Sequence, residues 1–125
     1  MALFQLGSFV LRSGAKSDWK IECDDLTPDD WAALAKMASE ILPPFGQVEG
    51  VPRGGIPFAD ALRKYATTGP LLIAEDVVTT GGSMVRFATS LGQLASGQSA
   101  IGVCVFARGK CPEWVTPLFS MTERK

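Results

Sequence analysis

The sequence predicts an α/β fold, a small and mostly parallel sheet of about four strands with helices on both faces, preceded by an N-terminal β-hairpin. Two apolar runs without alternation, residues 71–74 and 100–106, are typical of parallel strands covered on both faces. One stripe of apolar residues at helical spacing precedes the first run, and a second stripe separates the two runs. This alternation of helices and strands is characteristic of a parallel sheet.

Length and charge limit the number of domains and the kinds of partner that we expect. At 125 residues, we expect one domain, with residues 1–26 as a hairpin hood and residues 27–125 as the α/β core. The 12 basic and 13 acidic residues produce no global field that would favour nucleic acid or an anionic membrane. No apolar run approaches the length of a membrane span, and the N-terminus lacks a signal-peptide pattern. We therefore expect a cytoplasmic protein.

Cysteine and histidine usage narrows the possible chemistry. Cys23, Cys104 and Cys111 lack the spacing of a metal site or a disulfide framework, which predicts reduced thiols. The chain contains no histidine, which excludes a Ser-His or Cys-His catalytic pair within it. Any chemistry must therefore use other groups.

The first elements are a hairpin and a helix. Short β-type runs at residues 8–12 and 18–23 flank a bend that carries Arg12 and Lys16, although such a basic turn is usually just solvated. Thr27 is the predicted N-cap of the helix that follows, and Pro43-Pro44 stops that helix.

A first anion-binding loop follows a short strand predicted at residues 47–51. Arg53 supplies a fixed charge, and Gly54 and Gly55 allow the backbone to approach a ligand closely. A helix is predicted over residues 56–65. Taken alone, an Arg-Gly-Gly sequence is commonly a flexible turn, so its position at a strand end is what favours a ligand site.

The most informative stretch is residues 71–84. Glu75 and Asp76 follow the apolar run, at the end of a strand where ligands bind in open α/β sheets. Carboxylates there can accept hydrogen bonds from ribose hydroxyls or hold a divalent cation through water. Small and hydroxyl residues then open a helix whose N-terminus favours an anion. We call this segment the phosphate loop; it comprises Thr79, Thr80, Gly81, Gly82 and Ser83. The predicted ligand is a phosphorylated sugar.

The C-terminal elements complete the predicted sheet. The helix that begins at Ser83 is predicted to continue to Gly97. Arg108 follows the strand at residues 100–106, where it is either a ligand contact or a simple loop charge. Trp114 either covers a sheet edge, as is more common, or stacks on a base. Residues 118–121 form a predicted edge strand.

Residues 71–84 resemble the signature of the type I phosphoribosyltransferases, and residues 51–55 are similar to the loop by which that family binds pyrophosphate. The N-terminal segment is similar to that of orotate phosphoribosyltransferases, in which a basic residue and Ser-Gly precede a lysine. The resemblance implies phosphoribosyl pyrophosphate (PRPP) and a base as small-molecule substrates, Mg²⁺ as cofactor and a possible homodimer. It also implies a cis peptide bond between Pro52 and Arg53.

The same resemblance implies individual roles. Glu75 and Asp76 would contact the ribose hydroxyls and hold Mg²⁺ indirectly, through bound water or the substrate. Arg53 would bind the pyrophosphate, and Arg12 would reach both the pyrophosphate and the base. The implied catalytic residues are Arg53, Glu75 and Asp76, and the implied substrate-binding residues are Arg12, Lys16, Gly54, Gly55, Thr79, Thr80, Gly81, Gly82, Ser83 and Arg108.

Two departures from the family pattern leave the function open. Lys20 and Ile21 stand where orotate enzymes usually have an aromatic pair, which leaves the identity of the base open. Only residues 64–69 separate the second helix from the strand at residue 71, where most family members insert a strand and a mobile catalytic loop. The alternatives are therefore a phosphoribosyltransferase of nucleotide metabolism and a non-catalytic regulatory module that binds PRPP or a nucleotide.

Overall fold

The structure, a computed structural model, describes residues 4–10, 16–21, 23–92 and 100–121, the first two ranges by their backbone. The strands are β1 (Phe4–Val10), β2 (Lys16–Ile21), β3 (Gln47–Gly50), β4 (Leu71–Val78), β5 (Ile101–Ala107) and β6 (Val115–Ser120). The helices are α1 (Pro28–Ile41), α2 (Ile56–Leu62) and α3 (Gly82–Ser90), with short 3₁₀ turns at Cys23–Asp25 and Arg63–Tyr65. No helix in these ranges is long and apolar enough to cross a membrane.

Four parallel strands form the central sheet in the order β3-β4-β5-β6, and β1 and β2 form a separate antiparallel hairpin. The predicted α/β class, the parallel sheet and the N-terminal hairpin are therefore confirmed. The strands of the hairpin differ from the prediction, because β1 starts at Phe4, whose partner in the ladder is Ile21. The pairing thus extends the first strand toward the N-terminus, and the second strand also begins and ends nearer the N-terminus than predicted.

Helix α1 begins at the predicted cap. The Thr27 hydroxyl oxygen accepts a hydrogen bond from the Asp30 N–H at 3.1 Å, and the Asp30 carboxylate accepts one from the Thr27 N–H at 2.9 Å. Pro28, which has no N–H to satisfy, occupies the first turn. This reciprocal capping box closes the N-terminus of α1 with the helix's own side chains.

The two faces of the sheet carry different helices. Helices α1 and α2 pack on one face, where Phe58 and Leu62 contact a core that includes Leu72. Helix α3 packs on the other face, in a cluster that includes Met84 and Cys104. The connections β3-α2-β4 and β4-α3-β5 step across the sheet in the same direction, so these two crossovers have opposite hands. One of them departs from the usual right-handed rule.

Two element boundaries differ from the predictions at the C-terminal half of the chain. Helix α3 ends at Ser90, because Gly92, with a φ of 75°, adopts the left-handed conformation that ends many helices. The predicted end at Gly97 was therefore wrong, and residues 93–99 lie outside the described ranges. Strand β6 starts at Val115 rather than at residue 118, and it includes Pro117, which an edge strand tolerates.

Candidate functional site

Three loops meet at the carboxyl edge of the parallel strands. The pyrophosphate loop, residues 51–55, follows β3, and the phosphate loop, residues 79–83, follows β4. The crossover loop, residues 108–114, follows β5 and returns to the start of β6. Because neighbouring parallel strands end on the same side of a sheet, these loops form one crevice of the kind in which α/β proteins bind ligands.

The structure brings the two sequence motifs of residues 51–55 and 71–84 into direct contact. The Asp76 carboxylate packs on the backbone of Gly54, so closely that a β-carbon at position 54 would overlap the carboxylate oxygens. The Val51 N–H donates to the Ala74 carbonyl at 2.9 Å, which anchors the same loop to β4. Glycine is therefore required at position 54 so that the backbone can lie beside this acid.

The sequence predicted Glu75 and Asp76 at the end of a strand, but in the structure both acids lie inside β4. The ladder continues past them, since Val77 and Val78 still pair with β5. Glu75 is only 1% exposed, and its Oε1 accepts a hydrogen bond from the Asp76 N–H at 3.0 Å. Asp76 is half-buried, and its Oδ1 accepts from the Val77 N–H at 2.7 Å. Asp76 is thus the more accessible acid, and Glu75 orients the backbone of Asp76.

Arg53 lies in the pyrophosphate loop directly after a cis peptide bond. The cis bond joins Pro52 to Arg53, as predicted. Arg53 is exposed, and no carboxylate among the described residues forms an ion pair with it. Its guanidinium group is therefore available to an anion at the crevice. Gly55 is buried at the N-terminus of α2.

The phosphate loop leads into α3 without a side-chain cap. Gly81 is the N-cap, and its φ of 85° is a left-handed conformation that favours glycine. Thr80 Oγ1 accepts a hydrogen bond from the Gly82 N–H at 3.3 Å, and Ser83 lies in the first turn. No acidic residue lies in that turn. This helix end therefore presents N–H groups and hydroxyls, without a carboxylate, to any anion.

Arg86 is a candidate contact that the sequence analysis missed. Its guanidinium turns back toward the start of α3, where Nη2 is 3.5 Å from Ser83 Oγ. A β-carbon at Gly82 would lie 3.1 Å from Arg86 Nη1 and 3.4 Å from Thr80 Oγ1. In the described part of the chain, no acid pairs with it. The signal was present in the sequence, since an arginine three residues after Ser83 lies on the same side of a helix.

The crossover loop packs against the phosphate loop. The Arg108 N–H donates to the Val78 carbonyl at 2.8 Å, and Gly109 packs on the Thr79 carbonyl with no room for a β-carbon. A β-carbon at Gly81 would lie 2.7 Å from the Pro112 ring. Arg108, a predicted contact, therefore follows β5 and lies beside the end of β4. Trp114 packs over the sheet at Gly102, consistent with the predicted covering role.

Two thiols lie side by side where the crossover loop passes over β5. Cys104 Sγ and Cys111 Sγ are 3.9 Å apart, and either can donate the hydrogen bond between them. Burial raises the pKa of the Cys104 thiol, and the neighbouring Cys111 and the carboxylates of Glu75 and Asp76 raise it further. Burial also raises the pKa of Cys111, which the hydrogen bond to Cys104 partly offsets. Both cysteines are reduced, as predicted.

The short connection between α2 and β4 offers no mobile cation. Arg63 forms an ion pair with Asp60 on α2, and its Nη2 donates to the Val48 carbonyl at 3.2 Å. The Lys64 ammonium lies 5.2 Å from the centre of the Tyr65 ring. Both side chains therefore have local structural partners.

The remaining predicted contacts come from the hairpin segment. Arg12 lies outside the described residues. Lys16 is the first residue of β2, whose backbone alone is described. In the described part of the chain, no cluster of three or more His, Cys, Asp or Glu residues could hold a metal ion by itself. Mg²⁺, however, usually keeps several waters and binds through one or two carboxylates plus substrate phosphates, and Asp76 beside the pyrophosphate loop fits that donor set.

Known proteins resemble this chain in both sequence and fold. The chain is 29% identical to the orotate phosphoribosyltransferase of Thermococcus gammatolerans, over 79% of this chain and 69% of that protein. No protein-family model matches it. The crystal structure of Aeropyrum pernix orotate phosphoribosyltransferase superposes with a TM-score of 0.76 at 19% identity, covering 95% of this chain and 89% of that one. The Leishmania donovani UMP synthase structure gives 0.74 at 18% identity, covering 95% and 34%.

These structural matches establish the fold. The sequence relative is, like the Aeropyrum pernix protein, an orotate phosphoribosyltransferase. The phosphate loop and the pyrophosphate loop occupy neighbouring strand ends of that fold, with Asp76 between them. In both sequence and fold, the chain is therefore similar to orotate phosphoribosyltransferases, as its resemblance to the type I phosphoribosyltransferase signature implied.

Proposed function

We propose that this protein transfers the phosphoribosyl group of PRPP to a nitrogenous base and releases pyrophosphate. The observation that supports this most strongly is the contact between Asp76 and Gly54. It places a half-buried carboxylate between a helix end suited to phosphate and a loop whose arginine, Arg53, pairs with no carboxylate among the described residues. PRPP carries a pyrophosphate and a 5′-phosphate on opposite sides of its ribose, so its three parts match this order of groups.

Each part of the substrate then has a proposed partner. Asp76 would accept hydrogen bonds from the ribose hydroxyls, and Glu75, which is buried, would reach them only after its side chain rotates toward the crevice. The pyrophosphate would bind Arg53 and the backbone at Gly54 and Gly55, with Arg12 and Lys16 as additional cations. The 5′-phosphate would bind residues 79–83. Arg108 would contact the base.

Catalysis would depend mainly on position and charge. Transfer develops positive charge at the ribose C1 and negative charge on the departing pyrophosphate. Asp76 would stabilise the sugar side, and Arg53 the leaving group. Bound Mg²⁺ would neutralise charge on the pyrophosphate, and Asp76 would hold it through water. A base nitrogen can attack without a histidine, which is consistent with the composition of the chain.

A second candidate is a non-catalytic module that binds PRPP or a nucleotide. It is favoured by the connection between α2 and β4, where Arg63 and Lys64 are held by Asp60 and Tyr65. Neither side chain is placed to close over the pyrophosphate. A crevice that stays open to water loses part of the electrostatic stabilisation that a closed site provides.

The two candidates are separated by measuring pyrophosphate release. Purified protein is given PRPP, Mg²⁺ and, in turn, orotate, uracil, adenine, hypoxanthine or nicotinate. Base-dependent release is expected for the enzyme. The surface variant Lys36→Gln, on the exposed side of α1, should behave like the wild type. PRPP binding without release for any base would instead identify the binding module.

The ribose assignment has its own test. Asp76→Asn keeps the size of the side chain and removes its charge, so magnesium-dependent binding of PRPP in calorimetry should be lost. Unchanged affinity would overturn the assignment.

We also propose that the protein acts in the cytoplasm as a homodimer, on small molecules and not on nucleic acid or membranes. Sedimentation of the purified protein measures the oligomer.

A further inference from the structure

The pair Cys104 and Cys111 has no role in the proposed reaction. Cys104 is fully buried in β5, where it pairs in register with Glu75 on one side and Pro117 on the other. Cys111 is half-buried in the crossover loop, which passes back over β5 on the face that carries α3. This path places one sulfur over the other, at 3.9 Å.

A disulfide between these sulfurs would require the loop to move. The bond length is about 2.05 Å, so the sulfurs must approach by about 2 Å from their present separation. Cys104 is held between two strands of the ladder, whereas Cys111 lies in a loop without regular structure. Most of the movement must therefore occur in the crossover loop.

The crossover loop cannot move without affecting the phosphate loop. Gly109 is packed on the Thr79 carbonyl, and the Pro112 ring would be 2.7 Å from a β-carbon at Gly81. The hydrogen bond from Arg108 to Val78 joins the two segments as well. A shift of Cys111 toward β5 changes the position of Pro112, the next residue, and with it the contact that supports Gly81.

We propose that Cys104 and Cys111 are a modification site, and that their oxidation to a disulfide lowers the affinity of the phosphate loop for its ligand. The ligand in this statement rests on the proposed function. The oxidant is a peroxide. The sulfur of Cys111 attacks one peroxide oxygen, the O–O bond breaks, and a sulfenic acid and water form. The sulfur of Cys104 then attacks Cys111 Sγ, and hydroxide leaves with the Cys104 proton as a second water.

A metal does not account for the pair. In the part of the chain that the structure describes, no third or fourth ligand completes a metal site around it. The remaining cysteine, Cys23, is buried in the core on the opposite face of the sheet, with α1 and α2. Cys23 therefore serves as a matched control for the oxidation of this pair.

The test treats the whole protein with hydrogen peroxide and measures both the bond and PRPP binding. Trypsin cleaves after Arg108 and Lys110, so a disulfide would join two separate peptides in mass spectrometry. We expect that link, together with an increase of about tenfold in the Kd for PRPP, within the usual range of coupling between sites. Dithiothreitol should restore the original affinity. Cys111→Ser should resist the change, and Cys23→Ala should respond like the wild type.

Two outcomes would overturn the proposal. One is the absence of the link after oxidation, and the other is a complete link with unchanged PRPP affinity. If reduced protein does not bind PRPP, the proposed function fails instead, and hydrogen exchange at residues 79–82 becomes the readout. Altered exchange on oxidation would still support the coupling between the loops, and unaltered exchange would refute it.

Discussion

The N-termini of α1 and α3 differ in whether side chains of the helix itself satisfy the first backbone N–H groups. Every helix begins with N–H groups that have no partner within the helix. In α1, Thr27 and Asp30 satisfy two such groups reciprocally, and an acid complements the positive end of the helix. In α3, the cap is Gly81 in a left-handed conformation, without a side-chain cap and without an acid.

The difference supports the proposal that the α3 end binds an external anion. At the α1 end, the Thr27 and Asp30 N–H groups already have side-chain acceptors in the free protein, so a ligand there would have to displace these hydrogen bonds. The α3 end additionally carries Arg86, a cation at the positive end of a helix, which is unfavourable until an anion binds. The predictions that follow change one end at a time.

The largest effect is expected from Gly81→Ala. Alanine in the left-handed conformation costs about 1–2 kcal/mol, and its β-carbon would meet the Pro112 ring. A displacement of about 1 Å at a site can reduce turnover on the order of 100-fold, so pyrophosphate release and PRPP binding should both fall steeply. Gly92→Ala is the matched control, since φ is 75° there and nothing lies within 4 Å of the new β-carbon. Equal loss of PRPP binding in both variants would contradict this account.

A smaller effect is expected from Arg86→Gln. The guanidinium is exposed, so its contribution to phosphate binding should be about 1 kcal/mol, or about fivefold in Kd. Calorimetry with PRPP measures it, with Lys36→Gln as the control. Without ligand, the variant should be slightly more stable, by about 0.3 kcal/mol, because a cation has been removed from the positive end of a helix. A Kd equal to that of the wild type would remove Arg86 from the site.

Thr27→Ala should leave PRPP binding unchanged. The loss of the cap at α1 should lower the free energy of unfolding by about 1 kcal/mol, measured by denaturant titration. Thr27→Ser retains the hydroxyl and should restore most of that stability. If Thr27→Ala weakened PRPP binding as strongly as Arg86→Gln does, the two helix ends would not differ in function as we propose.

Local signals in the sequence were sufficient for much of the site. Thr27 and Pro28 marked the start of α1, and Arg53 with Gly54 marked a loop at a strand end, because caps and glycine turns depend on neighbouring residues. The length of β4 could not be predicted in this way. Glu75 and Asp76 ended the apolar run, yet the strand continues through them because β5 still provides ladder partners.

By itself, the sequence determined the order of strands and helices along the chain and the position of residues 51–55 and 79–83 in loops that follow strands. These properties follow from periodicity and turn chemistry, which act over a few residues. Only the tertiary structure placed Asp76 on Gly54, Pro112 beside Gly81, and Cys111 over Cys104. The first two contacts join residues from different strand ends, and the third depends on a loop that returns over its own strand. Their geometry is decided by strand order and by the path of each crossover, which local patterns do not encode.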